Sequence, residues 1–295
     1  MVKHTPYAEG ASPFAIGLTP LDLANWIEVD DHLHQYLNEK QRLMHEMPGE
    51  VFAADYASEA AQEEVLSLVV EHLLSQFPDI YSLEGNVISI AGTDHKVNLD
   101  DFSVPPLLQA AFLIQEDLAL LRKESHAWHL VAASVCFPSS WILREKIGKP
   151  MHGVHAPVPG YQEGTRNAGM LERIFDNMQV ELPVERFNWS IYTNDGLFQG
   201  GKSNDHIIDE PGDADEYFIR VEHQTLRKLP KTDHILFTIR IHIDPVSMLE
   251  KRADASELTH NFIDTINGMK AEQVFYKGLE MGKHALIERL REIAS

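Results

Sequence analysis

The stretch Trp128-His129-Leu130-Val131-Ala132-Ala133-Ser134-Val135-Cys136-Phe137 restricts the possible folds more than any other. Nearly every position is apolar, and Pro138 ends the run. It is too short to cross a bilayer, which needs about 20 apolar residues. It reads as a β-strand buried on both faces, or nearly so. Three more strands follow, at 186–193, 217–226 and 235–243. Helical patterns lie before and after them. Strands clustered between helical flanks predict an α+β fold built on an antiparallel sheet. No clean boundary divides the chain, so the expectation is a single domain over 1–295 with its core at 128–244.

The flanks supply the detail. Thr19 and Pro20 read as a helix start, with a capping hydroxyl and then proline at the first helical position. Asp30 or Asp31 can cap a helix running through Leu33, Tyr36, Leu37, Lys40 and Leu43 to about Met47. Ser58 can cap another, whose Leu66, Val69, Val70, Leu73 and Leu74 mark one buried face before Pro78 ends it. A short β signal occupies 87–90. Pro105 and Pro106 open a further expected helix carrying Leu107, Ala111, Ile114, Leu118 and Leu121. A short helix is expected at 141–147, a proline-punctuated loop at 150–161 and a helix over 169–178. Residues 196–215 read as an exposed loop. Two helices broken near Gly268 are expected over 256–294.

Composition excludes several classes. The chain has 295 residues, with 45 acidic against 25 basic, a formal charge of −20. That field disfavours nucleic acid and anionic membranes and favours cationic ligands. Cys136 is the single cysteine, so no internal disulfide, iron–sulfur cluster or multi-cysteine zinc site can form within one chain. The polar start and the lack of a long apolar run predict a cytoplasmic protein with no membrane partner. There is no dinucleotide-binding G-x-G-x-x-G, and Gly200-Gly201-Lys202-Ser203 lacks the first glycine of a phosphate loop. Neither a G-x-S-x-G elbow nor an H-E-x-x-H helix occurs.

Three segments carry candidate chemistry. In Gly153-Val154-His155-Ala156-Pro157-Val158-Pro159-Gly160, two prolines stiffen the backbone just after a histidine. Such a loop can aim an imidazole as an axial metal ligand, or His155 can simply hydrogen-bond in a turn. His152 is a less constrained rival. Phe187-Asn188-Trp189-Ser190 places an aromatic and an amide on a strand, which in isolation reads first as a buried tryptophan with the asparagine completing a backbone hydrogen bond. Along Arg220-Val221-Glu222-His223-Gln224-Thr225-Leu226, alternation puts Arg220, Glu222 and Gln224 on one face and His223 on the other. Thr238, Arg240 and His242 share a face of the next strand. An arginine could pair with Glu222 as a plain salt bridge. The polar faces could equally line a pocket taking an anionic cofactor group and a cationic substrate.

Together these segments resemble a known family. The pattern is Val135-Cys136-Phe137-Pro138-Ser139 with Trp141, Val154–Gly160, Asn188-Trp189-Ser190, Arg220–Leu226 and Phe237-Thr238-Ile239-Arg240. It is similar to the haem-binding alpha subunit of haem-dependent oxidative N-demethylase, a dimethylamine monooxygenase. The resemblance reaches from the Trp26 region to Tyr276-Lys277-Gly278-Leu279. It implies a PAS-like sheet with helical extensions and a pocket for haem b. The implied reaction is oxygen-dependent demethylation of a small secondary amine. Electrons would come from NADPH through separate reductase subunits carrying FMN and an iron–sulfur cluster. Within it, His155 is the expected iron ligand, with Cys136 and His242 as alternatives. Arg220 and Arg240 are expected at the propionates with Gln224 on the cofactor, and Glu222, Asn188 and Trp189 on the substrate side. His223 departs from the pattern, where arginine is expected, and alternation points it away from Glu222. Other readings are a PAS-like haem sensor or carrier without catalysis, and a non-haem iron enzyme using His155, His242 and Glu222. A homo-oligomer is compatible with all of them.

Overall fold

A computed structural model describes residues 2–10, 14–139, 141–200 and 214–295. The part of the expected 196–215 loop over 201–213, with Gly201, Lys202 and Ser203, lies outside the described residues. The chain begins with β1 (Thr19–Pro20), α1 (Leu33–Glu46), α2 (Pro48–Val51), β2 (Phe52–Ala54) and α3 (Glu59–Gln76). A small sheet follows, of β3 (Tyr81–Glu84), β4 (Val87–Ile90) and β5 (Lys96–Asn98), then α4 (Pro106–Ala111). Next come β6 (Asp117–Glu124), β7 (Ala127–Ser134), α5 (Met151–Val154), α6 (Arg166–Asp176) and β8 (Val184–Tyr192). The chain closes with β9 (Phe218–Lys228), β10 (Ile235–Pro245), α7 (Ala255–Gly268), α8 (Ala271–Tyr276) and α9 (Lys283–Ala294).

The main sheet has the order β1-β8-β9-β10-β6-β7-β2, antiparallel throughout. Its five long strands therefore run in the spatial order 2-1-5-4-3, a PAS-like topology. The α+β expectation with an antiparallel sheet and helical flanks holds. One face is covered by the long 135–183 excursion between β7 and β8. There Leu143, Met151, Phe175 and Met178 pack on Leu130, Ala133, Leu226 and Ile235. The other face is shared. The N-terminal helices bury Leu118, Leu120 and Leu236, while α7 and α9 bury Trp189, Ile191, Ile219 and Val221.

Four local expectations are corrected. Thr19 and Pro20 start no helix. They pair with Glu185 and Val184 as a sheet edge, and Asp22 accepts from the Ala24 N–H at 3.0 Å to cap a single 3₁₀ turn at Leu23–Asn25. The helix opened by Pro106 stops at Ala111, and Leu118 and Leu121 lie on β6 instead. The short apolar run there is ambiguous by periodicity, and pairing on both sides with β7 and β10 decides it. The buried strand ends at Ser134, because the Asp117 carboxylate takes the N–H groups of Cys136 and Phe137 at 2.9 and 2.8 Å. Near the C-terminus a second break after Tyr276 makes three helices of the expected two.

One contact ties the N-terminal helices to the hairpin that carries the site. Glu64 on α3 accepts from Lys231 N (2.8 Å), Thr232 N (3.0 Å) and Thr232 Oγ1 (2.7 Å) in the β9–β10 turn. Glu64→Ala would leave these donors unpaired, and urea denaturation should show a loss of about 1–3 kcal/mol.

Candidate functional site

Strand alternation builds the site. The register pairs Asn188 with Glu222, Arg186 with Gln224 and Ser190 with Arg220. These six side chains share the face covered by the 135–183 excursion. Glu222 is the centre. Its Oε1 accepts from Ser139 Oγ at 2.5 Å, and its Oε2 from Gln224 Nε2 at 2.6 Å and Asn188 Nδ2 at 3.2 Å. Lys277, just past α8, donates to Asn188 Oδ1 at 2.9 Å and also to the Trp189 carbonyl. Burial pushes the Lys277 pKa down to about 7, with Arg186 contributing and Glu222 opposing. Burial and the nearby Glu222 and Tyr192 push Tyr276 up to about 12.

Two arginines on this face do different work. Arg220 is 1% exposed. Its Nε donates to Ser139 Oγ at 3.0 Å, and its Nη2 donates to the carbonyls of Phe137 (2.7 Å) and Leu197 (3.1 Å). It clamps two loop segments onto the sheet, which leaves little of its guanidinium for a ligand. Arg186 is half-buried and less committed. It donates to Gln224 Oε1 and the Ala15 carbonyl, both at 3.3 Å, and its Nε has no partner among the described residues. Its charge is felt by His155, Tyr161, Tyr276 and Lys277.

His155 follows the single turn of α5. Its Nδ1 sits 2.9 Å from the Met151 carbonyl. A carbonyl can only accept, so the proton is on Nδ1 and the Nε2 lone pair is unshared among the described residues. This is the arrangement of a metal-ligating histidine held by a backbone carbonyl. Burial lowers its pKa, with Arg186 and Lys146 adding to the effect, which keeps the imidazole neutral and able to ligate.

The structure thus brings Glu222, Asn188, Gln224 and Arg220 together, with His155 within the electrostatic reach of Arg186 beside them. It places two other expected residues elsewhere. Trp189 points to the opposite face and packs edge-on against Phe262 at 5.2 Å. Arg240 also leaves this face. It pairs with Asp30 at 2.7 Å and lies 4.3 Å from the Tyr36 ring centroid. His242 and Glu222 lie on adjacent strands but opposite faces, so the site His155–His242–Glu222 does not assemble. Cys136 is buried, and burial next to Asp117 pushes its thiol up to about 12, far from a thiolate ligand. His152 lines a separate surface pocket with His126, His129 and Glu172.

Arg186, Ser139, Lys277 and Tyr276 were not legible as site residues from the sequence. Arg186 carried the clearest signal, being two residues before Asn188 on a recognised strand. Lys277 comes from a distant helix end, and only folding brings it to Asn188.

The donor set fits a haem: a neutral imidazole with one free nitrogen, a guanidinium with an unpartnered N–H, and a polar group of acid, amide and amine. Residues 17–287 match the family model described as haem-dependent oxidative N-demethylase, alpha subunit-like.

The two arginines can be told apart by denaturation. Arg220→Met should cost about 3 kcal/mol or more, since several buried carbonyls lose their donors. Arg186→Met should cost about 1 kcal/mol or less, as expected where a half-buried side chain is removed without opening the core.

Proposed function

This chain belongs to the haem-dependent oxidative N-demethylase alpha-subunit-like family, and on that premise we propose that it is the haem b-binding monooxygenase subunit that demethylates a small secondary amine. The observation that carries the reading is His155, whose Nδ1 is held by the Met151 carbonyl and whose imidazole feels the charge of Arg186, a residue on the face with Glu222 at its centre. For dimethylamine the balance is amine, O₂, NADPH and H⁺ giving methylamine, formaldehyde, NADP⁺ and water. The alpha-subunit-like family implies further subunits. A single cysteine and no dinucleotide fingerprint support placing NADPH, FMN and the iron–sulfur cluster on a separate reductase.

His155 holds the iron through Nε2, and the bound haem supplies the oxygen-activating centre. Arg186 takes a propionate, using the N–H that has no partner, with Gln224 beside it. Glu222 receives the alkylammonium. Ser139, Asn188 and Gln224 fix the orientation of its carboxylate, which raises the fraction of bound amine in one pose. Lys277 sits one residue behind, through Asn188, and holds or releases a proton near neutral pH.

Absorption spectroscopy tests the assignment. Protein expressed with ample haem precursor should show a stoichiometric Soret band that shifts on adding dimethylamine. His155→Ala should lose that band while remaining folded by circular dichroism. A wild-type protein that fills with no haem would refute the reading. A haem spectrum that ignores amines, with no turnover when reductase is supplied, would favour the sensor or carrier.

The buried lysine predicts a pH effect with a definite sign. Below about pH 7 Lys277 carries a charge that opposes a cation at Glu222, and above it that charge is gone. Alkylammonium ions stay protonated through this range, as lysine itself does in water up to about pH 10.4. Dimethylamine affinity, read from the Soret shift, should therefore rise between pH 6 and pH 8, values chosen to lie about one unit either side. In Lys277→Met the rise should be flattened.

A further inference from the structure

The face of the sheet opposite Glu222 carries a second cluster of ligating side chains. Glu28 lies there, just after the core residues Trp26 and Ile27, and is 7% exposed. Three imidazoles surround its carboxylate. His4 Nε2 is 3.2 Å from both oxygens, His223 Nδ1 meets Oε1, and His242 Nε2 is 3.3 Å from Oε2. One ligand atom each from His4, Glu28 and His223 lie within 4.8 Å of one another. His242 Nε2 is buried and makes no properly angled hydrogen bond, so a nitrogen lone pair or N–H is left aimed into the cluster. His223 is also backed as a ligand should be, since its Nε2 contacts Glu185 Oε2 at 2.7 Å. A carboxylate behind a ligating histidine fixes the tautomer and the ring plane. Phe187 stacks on His223 with ring centroids 4.6 Å apart and closes one side.

Spacing and charge both suit a divalent transition metal. Tetrahedral zinc with bonds of about 2.0–2.1 Å sets its ligand atoms roughly 3.3–3.4 Å apart. The separations from Glu28 to His4 and to His242, 3.2 and 3.3 Å, are close to that, and His223 Nδ1 lies closer still to Glu28 Oε1. Two carboxylates, Glu28 and Glu185, face three imidazoles in a largely dry seam, and a dication would neutralise them. Lys3 also reaches Glu28, but its side chain is 52% exposed and can swing into solvent.

We infer that His4, Glu28 and His223, with His242 beside them at Glu28, form a binding site for a divalent transition metal of the zinc type, distinct from the His155 site. The site joins three parts of the chain. His4 comes from the N-terminal segment, Glu28 from the turn before α1, and His223 and His242 from adjacent central strands. It lies where the N-terminal helical layer meets the layer of α7 and α9, so an ion there would cross-link the two layers through the sheet.

The test uses the full-length haem-loaded protein, stripped with EDTA and titrated with Zn²⁺ by calorimetry, with zinc and haem counted in the same sample. One saturable equivalent of zinc is expected, with the Soret band unchanged. His4→Ala should weaken binding by about 100-fold, and Glu185→Gln by about 10–100-fold as a residue behind a ligand. His152→Ala, in the separate surface pocket, should bind as the wild type does. Circular dichroism on each variant separates lost ligation from lost fold, and Glu185→Gln keeps the test open if His4→Ala unfolds. Absence of a saturable equivalent in the wild type, or undiminished affinity in folded His4→Ala and Glu185→Gln, would overturn the assignment.

Discussion

The buried guanidinium of Arg220 is the contact on which the geometry around Glu222 depends. It anchors the carbonyls of Phe137 and Leu197 and the hydroxyl of Ser139 to the middle of β9. Ser139 in turn meets Glu222, two residues along the same strand. A charged group this deep is costly unless every donor is used, and here almost all are. Its role is therefore mechanical: it converts a strand residue into a fixed rim of loop, and Glu222 inherits an orientation from that rim. On the same segment, Asp117 holds the backbone of Cys136 and Phe137. The segment leaving β7 is thus tied by an acid at one point and a base at the next.

Period-two alternation then sorts the polar residues of the central strands into two populations. Glu222 and Gln224 face the excursion, while His223, Arg240 and His242 face the helical layers. In a half-polar sheet one residue of slip would exchange these sets completely. The apolar neighbours prevent it. Val221 and Ile219 are committed to the layer of α7 and α9, and Ile241 to the cluster around Phe137 and Leu197. The register of the chemistry is therefore set by residues that take no part in it.

Much of this was readable beforehand, for physical reasons that differ by element. Four of the five long strands announced themselves through apolar runs and alternation, and the face shared by Arg220, Glu222 and Gln224 followed directly. His155 stood out because two prolines follow it, although the Met151 carbonyl that holds its Nδ1 did not. What was lost is what depends on tertiary pairing. The run at Leu118–Leu121 has no periodicity of its own and becomes a strand only because β7 and β10 flank it. Arg240 looked like a partner for Arg220, yet Asp30 and Tyr36, some two hundred residues away, claim it. Glu28 gave no signal at all, since a lone acid after the apolar pair Trp26 and Ile27 looks like ordinary surface. His223 stood out only as a departure from the family pattern.

The wall opposite Glu222 comes from one uninterrupted excursion, 135–183, that departs from β7 and returns as β8. Asp117 and Arg220 both pin its start, at Cys136, Phe137 and Ser139, and Pro150 bridges back to His129 on β7, while His155 and the proline-rich turn beyond it make no strand pairings among the described residues. Such an insert behaves as a cassette. Its interior can drift or be exchanged between relatives without disturbing the register of a single strand. Diversity in what faces Glu222 can then accumulate there while the carboxylate below stays in place.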